Sequence, residues 1–253
     1  MNQALPTTSE YLARIGLQEP PGLDLDALTT LQQAHLAHVP FENIDVYRQT
    51  GVQTDLAWSL NKLVNRNRGG WCFENNGAFG WLLRSLGFTV TYLGAYVLLD
   101  PPDLDNMSHL CLRVDLDQPY LVDVGFGDSF TNPIPLTHQR SGGDAERPFR
   151  LRQDETWTTL MEESDPPKPQ YRFTLAPYRL PDFTEQSDRL QRDGTSGFTE
   201  NPFATRSLGT GTDRVTLLAD RIKFRRDGSW TEEPVDSQDW NDTARQWFGL
   251  NVE

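Results

Sequence analysis

Apolar residues recur at helical spacing through the first third of the chain and at strand spacing after it. Tyr11 to Leu17 reads as a short helix behind Thr7, Thr8 and Ser9, each able to cap it. Leu25, Leu28 and Leu31, then Ala34, share one face of a longer helix that Asp24 caps and Pro40 ends. Asp55 caps a third helix bearing Leu56, Leu60, Leu63 and Val64. A fourth runs from about Cys72 to Leu86, with Phe79, Leu82, Leu83 and Leu86 inward and Gly87 as its stop.

Beyond Gly87 the period shortens. Phe88–Leu99, His109–Leu116 and Tyr120–Phe126 are β-branched or alternating and are separated by Asp/Pro-rich turns. Arg147–Gln153, Thr156–Glu163 and Gln170–Ala176 continue as strands, and Pro181–Asp193 is expected to be helical. Gly194–Thr212, rich in Gly, Thr and Ser, reads as a linker. Arg214–Ala219, Arg221–Arg226 and Ser229–Val235 are a last set of strands, and Ser237–Phe248 a terminal helix with Trp240, Ala244 and Trp247 on one side. Helices, then strands, then a mixed tail make an α+β chain.

Composition narrows the function. Leu, Ile, Val and Phe form about 24% of the 253 residues, enough for a core. The net charge of −13 disfavours a broad grip on nucleic acid. No apolar run approaches a membrane span, and the N-terminus lacks the basic start and apolar stretch of a signal peptide. Two cysteines make neither a disulfide framework nor a four-ligand zinc site. The expected compartment is a reducing cytoplasm, where a cysteine matters as a thiol. His35 and His38 have ligand-like helical spacing, but the nearest carboxylate is Glu42, past Pro40, so no metal is expected.

Arg68-Gly69-Gly70-Trp71-Cys72-Phe73-Glu74-Asn75-Asn76 carries the clearest chemistry. Two glycines permit a sharp turn and close approach. Cys72 then falls at a helix start, where unpaired N–H groups and the helix dipole favour a thiolate nucleophile. Read alone, it is equally a buried structural thiol. His109 and Asp123 change the balance. The apolar residues of their two segments are even-numbered: Leu110, Leu112, Val114 and Leu116, then Tyr120, Val122, Val124 and Phe126. Side chains alternate faces along a strand, so odd-numbered His109 and Asp123 share the other face and are able to meet. An aspartate orients a histidine and stabilises its charged form, and that histidine then serves a thiolate. Read alone, His109 is a satisfied strand histidine and Asp123 a turn residue.

On these residues the chain resembles the arylamine N-acetyltransferases over nearly its whole length. The matching pieces are Tyr11–Gly16, His38–Ile44, Arg68–Asn76, His109–Leu112, Val122–Gly127 and Phe198–Phe203. The resemblance implies a Cys72–His109–Asp123 triad in a papain-like cysteine-enzyme fold. It implies a helical bundle with the nucleophile at 1–87, a β-barrel with His109 and Asp123 at 88–200, and an α/β lid at 201–253. It also implies acetyl-CoA as donor, an arylamine or hydrazine as acceptor, and Phe41, Phe126 and Phe203 near the acceptor. Arg68 and Glu42 become a structural pair. Where many bacterial members carry Arg-Val in the strand before the histidine, this chain reads Gly94-Ala95-Tyr96-Val97.

CoA is anionic and the chain is acidic, so the donor needs local contacts. Gly125-Phe126-Gly127 offers backbone N–H groups through Gly125 and Gly127. Arg221–Arg226 is the densest basic cluster, either a phosphate contact centred on Arg225 and Arg226 or a solvated strand face. Papain-type proteases place histidine some 130–150 residues after cysteine; here the gaps are 37 and 14 residues. Two rivals share these motifs: an amide synthase of polyketide biosynthesis, and a non-enzymatic binding protein on the same scaffold.

Overall fold

The computed structural model describes residues 4–19, 22–99, 102–137, 141–144, 147–192 and 196–252. The Asp193 end of the expected sixth helix, Gly194 and Thr195 of the expected linker, and the first three residues of the N-terminus lie outside these residues.

Helix α1 (Thr8–Arg14) starts at Thr7. Its hydroxyl accepts from the Glu10 N–H while the Glu10 carboxylate accepts from the Thr7 N–H, satisfying two amides with no partner inside the helix. Asp24 caps α2 (Leu25–His38). The chain then forms the two-residue strand β1 (Phe41–Glu42) and the short α3 (Ile44–Tyr47). Asp55 caps α4 (Leu56–Leu60), which continues as a π-helical turn over Asn61–Asn65 with Lys62 buried in it. Helix α5 (Cys72–Leu86) ends at Gly87, whose φ of 106° is the left-handed stop that glycine allows.

Eight antiparallel strands follow: β2 (Thr89–Val97), β3 (His109–Asp115), β4 (Pro119–Val122), β5 (Ile134–Pro135), β6 (Ser141–Asp144), β7 (Arg147–Gln153), β8 (Thr158–Glu162) and β9 (Lys168–Tyr178). Their order is β5-β4-β3-β2-β9-β8-β7-β6, and the sheet curls until its end strands β5 and β6 meet. A 3₁₀ turn (Leu180–Phe183) leads into α6 (Thr184–Leu190). The remaining strands are β10 (Ala204–Ser207), β11 (Arg214–Leu217), β12 (Arg221–Arg226) and β13 (Ser229–Pro234). With β1 they form a second antiparallel sheet, β1-β10-β11-β12-β13, backed by α7 (Trp240–Phe248). The fold is α+β, a helical bundle, a curled sheet and an α/β lid.

One reading of the sequence needs correction. The expected linker contains a strand: Ala204–Ser207 lies between β1 and β11. Its pairing with Phe41–Glu42 joins segments more than 160 residues apart, and neither carries an alternating pattern long enough to show it.

The strand parity holds. Leu110, Leu112, Val114, Tyr120 and Val122 pack into the helical core with α5. Cys111 and Leu121 face the interior of the curled sheet with Leu93 and Ala95. Both faces of β3 and β4 are thus buried, and His109 and Asp123 sit where the two cores meet. A third core joins Val215, Leu217, Ile222 and Phe224 to Trp240, Ala244 and Phe248, and Ile44 of α3 enters it too. Among the described residues no helix is long and apolar enough to cross a membrane.

Candidate active site

Cys72 is the first residue of α5. The N–H of Trp71 before it donates to the Glu74 carboxylate at 3.2 Å. Glu74 also accepts from Trp58 Nε1 (3.2 Å) and Lys62 Nζ (3.0 Å). The opening of the helix is therefore clamped from one side by α4 and the π-turn. From the other side Gly69 and Gly70 run against β1. Glu42 N donates to Gly70 O at 3.1 Å and Gly70 N to Pro40 O at 3.2 Å. A Cβ on Gly69 would stand 2.2 Å from Pro40 O, so no larger residue fits there. Close approach is what the glycine pair supplies, and it brings Phe41 beside Cys72.

His109 Nε2 and Asp123 Oδ2 lie 2.7 Å apart with both side chains buried. Asp123 Oδ1 accepts from Asn76 Nδ2 and from Gly125 N, each at 2.8 Å. Asn76 stands four residues after Cys72, one turn along the same face of α5. It also donates to Leu110 O (2.6 Å) and accepts from Val124 N (3.0 Å), pinning both strands to the nucleophile helix. The i, i+4 spacing from Cys72 was the available signal for Asn76. Tyr171 of β9 had none: its ring packs 4.9 Å from that of His109 and 5.1 Å from Phe126.

With Nε2 held by Asp123, the other ring nitrogen of His109 serves Cys72, with which the ring hydrogen-bonds. The thiol also lies 3.7 Å from Ser108 O. Burial pulls the His109 pKa down, but the Asp123 carboxylate and the Cys72 sulfur outweigh it and raise it to about 10. Burial, then the charges of Asp123 and Cys72, push the Cys111 thiol well up, so this second cysteine stays protonated.

Cys72, His109, Phe41, Phe126 and Phe203 line one cavity of about 820 Å³, together with Gly125 and Gly127. Asp123 stands behind His109. A Cβ on Gly125 would fall 2.7 Å from Cys72 Cα, so only glycine lets this turn reach the helix start. The Phe41 ring stacks on Phe203 at 5.6 Å, and Phe198 lies 6.2 Å from Phe41. This wall is held by Asn43, whose amide donates to Phe198 O and Asn201 O and accepts from Phe203 N, all at 2.8 Å.

The basic cluster divides. Arg225 turns inward, donating to Thr212 O and to Asp128, which Arg147 and Arg214 also reach. Arg226 packs over Phe224 on the opposite face, and Arg221 meets Asp220 and Glu232. Lys223 lines the cavity. Arg225 and Arg226 are thus not placed to meet a ligand at Cys72. Arg68 and Glu42 pair at 2.8 Å, beside Asp45 and Lys62. His35 meets Tyr11 OH and His38 meets Ala34 O, so the two rings engage separate partners. At Gly94, Met107 fills the space a side chain would take.

A family model described as N-acetyltransferase matches residues 24–253. The chain is 30% identical to arylamine N-acetyltransferase 2 of Mus musculus over 96% of this chain and 93% of the mouse protein. It superposes on the arylamine N-acetyltransferase of Salmonella typhimurium with a TM-score of 0.91 at 28% identity, over 98% and 92% of the two chains. The Mycobacterium marinum enzyme, solved in complex with CoA, gives 0.87 at 29% identity over 96% and 92%.

Proposed function

The chain belongs to the arylamine N-acetyltransferase family, and from that premise we propose that it carries acetyl from acetyl-CoA to an arylamine or hydrazine through a thioester on Cys72. The observation that supports this reading is the His109–Asp123 pair of 2.7 Å behind Cys72 on one cavity, with the His109 proton held to about pH 10. At neutral pH the ring is an imidazolium, and its counterpart is the Cys72 thiolate.

In the first half-reaction the thiolate attacks the thioester carbonyl. The C–S bond to CoA breaks, and His109 gives its proton to the departing sulfur. The thioester formed is close in energy to the one consumed. The oxyanion is met by the Cys72 N–H at the start of α5, where backbone donors lack helical partners. In the second half-reaction the amine attacks the acyl carbon, neutral His109 takes the amine proton, and Cys72 leaves as thiolate to restore the ion pair. Arylamines are weakly basic and mostly neutral at pH 7, so flat apolar walls suit them. Phe41, Phe126 and Phe203 supply such walls, and the N–H groups of Gly125 and Gly127 offer donors toward CoA.

The test is initial-velocity kinetics with acetyl-CoA and simple anilines, together with peptide mass mapping. Parallel double-reciprocal lines and one acetyl group on the Cys72 peptide are expected; full turnover by Cys72→Ala overturns the scheme. Acceptance of simple anilines separates this reading from an amide synthase.

A further inference from the structure

The cavity-facing side of the lid sheet carries a cross-strand row that leads away from the acceptor wall. Phe41 pairs with Thr205, Thr205 with Thr216, Thr216 with Lys223, and Lys223 with Glu232. The first four of these line the cavity. Strands in a sheet are about 4.8 Å apart, so Lys223 stands roughly 14 Å from Phe41 along the row. The row changes character as it goes, from an aromatic ring beside the nucleophile, through two hydroxyls, to an ammonium.

Lys223 differs from its charged neighbours. Among the described residues the cavity is lined by two cations, Arg189 and Lys223. Arg189 is engaged by Asp103 at 2.7 Å. Of the carboxylates, Asp128 is held by Arg147, Arg214 and Arg225, and Glu232, opposite Lys223, is drawn to Arg221. No carboxylate is within ion-pair distance of Lys223; its printed contact is with the Trp230 ring, 5.0 Å from Nζ. Trp230 also lines the cavity and is 46% exposed, a large flat surface at the mouth. Leu99, half exposed, lies on the same cavity.

We propose that Lys223 and Trp230 form the subsite for the nucleotide end of the donor, the ammonium taking a phosphate of the CoA diphosphate and the indole the adenine. This rests on acetyl-CoA being the donor. The pantetheine arm separates the thioester carbon from the diphosphate, and the Thr205–Thr216 hydroxyls lie along that interval, hydrogen-bonded to each other at 2.8 Å. An unpaired ammonium at the rim also answers the adverse field of a chain with net charge −13. An anion is drawn to this point while the remaining surface repels it.

The experiment uses the full chain and its Lys223→Glu, Lys223→Arg and Trp230→Ala variants, with one arylamine and two donors. Acetyl-CoA carries the nucleotide; p-nitrophenyl acetate does not. The ratio of the acetyl-CoA KM to the ester KM is expected to rise about tenfold or more in Lys223→Glu, as for a lost charge-assisted contact. A rise of about fivefold is expected in Trp230→Ala, as for a lost stacking partner. Lys223→Arg should stay near the parent. Product inhibition by CoA should weaken in parallel with the acetyl-CoA KM, and inhibition by pantetheine should not. An unmoved ratio in a chain that uses acetyl-CoA overturns the subsite alone. A parent chain that is acetylated by the ester and not by acetyl-CoA overturns the donor, and the subsite with it.

Discussion

On one side of the first turn of α5, Cys72, His109 and Asp123 meet at a cavity; on the other, Glu74 joins Lys62, Glu42, Asp45 and Arg68, none of which lines that cavity. Both groups are buried, and both hold ions out of water. In the second group every ion has several partners. Lys62 lies within 3.9 Å of three carboxylates, and Arg68 touches two. Burial lowers the Lys62 pKa and those carboxylates more than restore it, so the ammonium is held charged well beyond its ordinary range. Burial pushes the Glu74 carboxyl up, against the pull of that ammonium. In the first group the partner count is lower. Cys72 has a long contact to Ser108 O and the His109 ring, and little else. A fully paired cluster fixes a backbone; an incompletely paired one has a site left for a substrate atom.

The comparison breaks most sharply at Cys72. Cys72→Ala is expected to lower kcat by about 10⁵-fold or more while leaving the denaturation midpoint close to that of the parent. Full loss of folding would instead place Cys72 with the structural group. Asp123→Asn comes next, with kcat down about 10³–10⁴-fold, because the amide no longer stabilises the imidazolium. Iodoacetamide should label Cys72 more slowly in that variant, and labelling at the parental rate would detach Asp123 from the thiol's reactivity.

Lys62→Met tests the sealed group. It leaves three carboxylates without their ammonium and should cost about 3–5 kcal/mol in urea unfolding. The surviving folded protein should keep kcat within about tenfold of the parent.

A gentler test uses pH. The folded His109 pKa of about 10 exceeds its ordinary 6.5. The bound proton therefore favours the folded state, fully below about pH 6.5, and that contribution is lost as pH rises to 10. Parent stability should fall across this window more steeply than that of His109→Gln; equal slopes would deny the raised pKa. The smallest effect expected is at the aromatic wall. Phe203→Ala should raise the arylamine KM several-fold, by about 1–2 kcal/mol of lost apolar contact, and raise the acetyl-CoA KM less.

Local signals were readable in the chain. Asp24, Asp55 and Gly87 act within one turn of helix, and each sits where its cap or stop was expected. The even–odd split of β3 and β4 needed only the two-residue strand period, and it placed His109 and Asp123 on one face. Other features depended on partners distant in sequence. Lys62 on a helix reads as a surface lysine; its burial follows from three carboxylates on three other segments. Asn76 and Tyr171 acquire their contacts only after the strands close over α5. Ala204–Ser207 is a strand because β1 and β11 flank it, and its own four residues hold no pattern to say so.

Strand β12 draws the boundary most finely. Lys223 and Arg225 share a face of it, so their parity is the same. Register alone separates them: Arg225 lies in the row of Arg214 and Trp230 and reaches Asp128, while Lys223 lies in the row of Thr216 and Glu232 and faces the cavity. The amino-acid sequence by itself determined the helices, their caps, the strand faces and the residue types able to do thiol chemistry, because each follows from spacing within a few residues. The tertiary structure alone decided which of those residues meet, which cation is neutralised inside and which is left for a ligand. These are distances between segments far apart in the chain, and no local period encodes them.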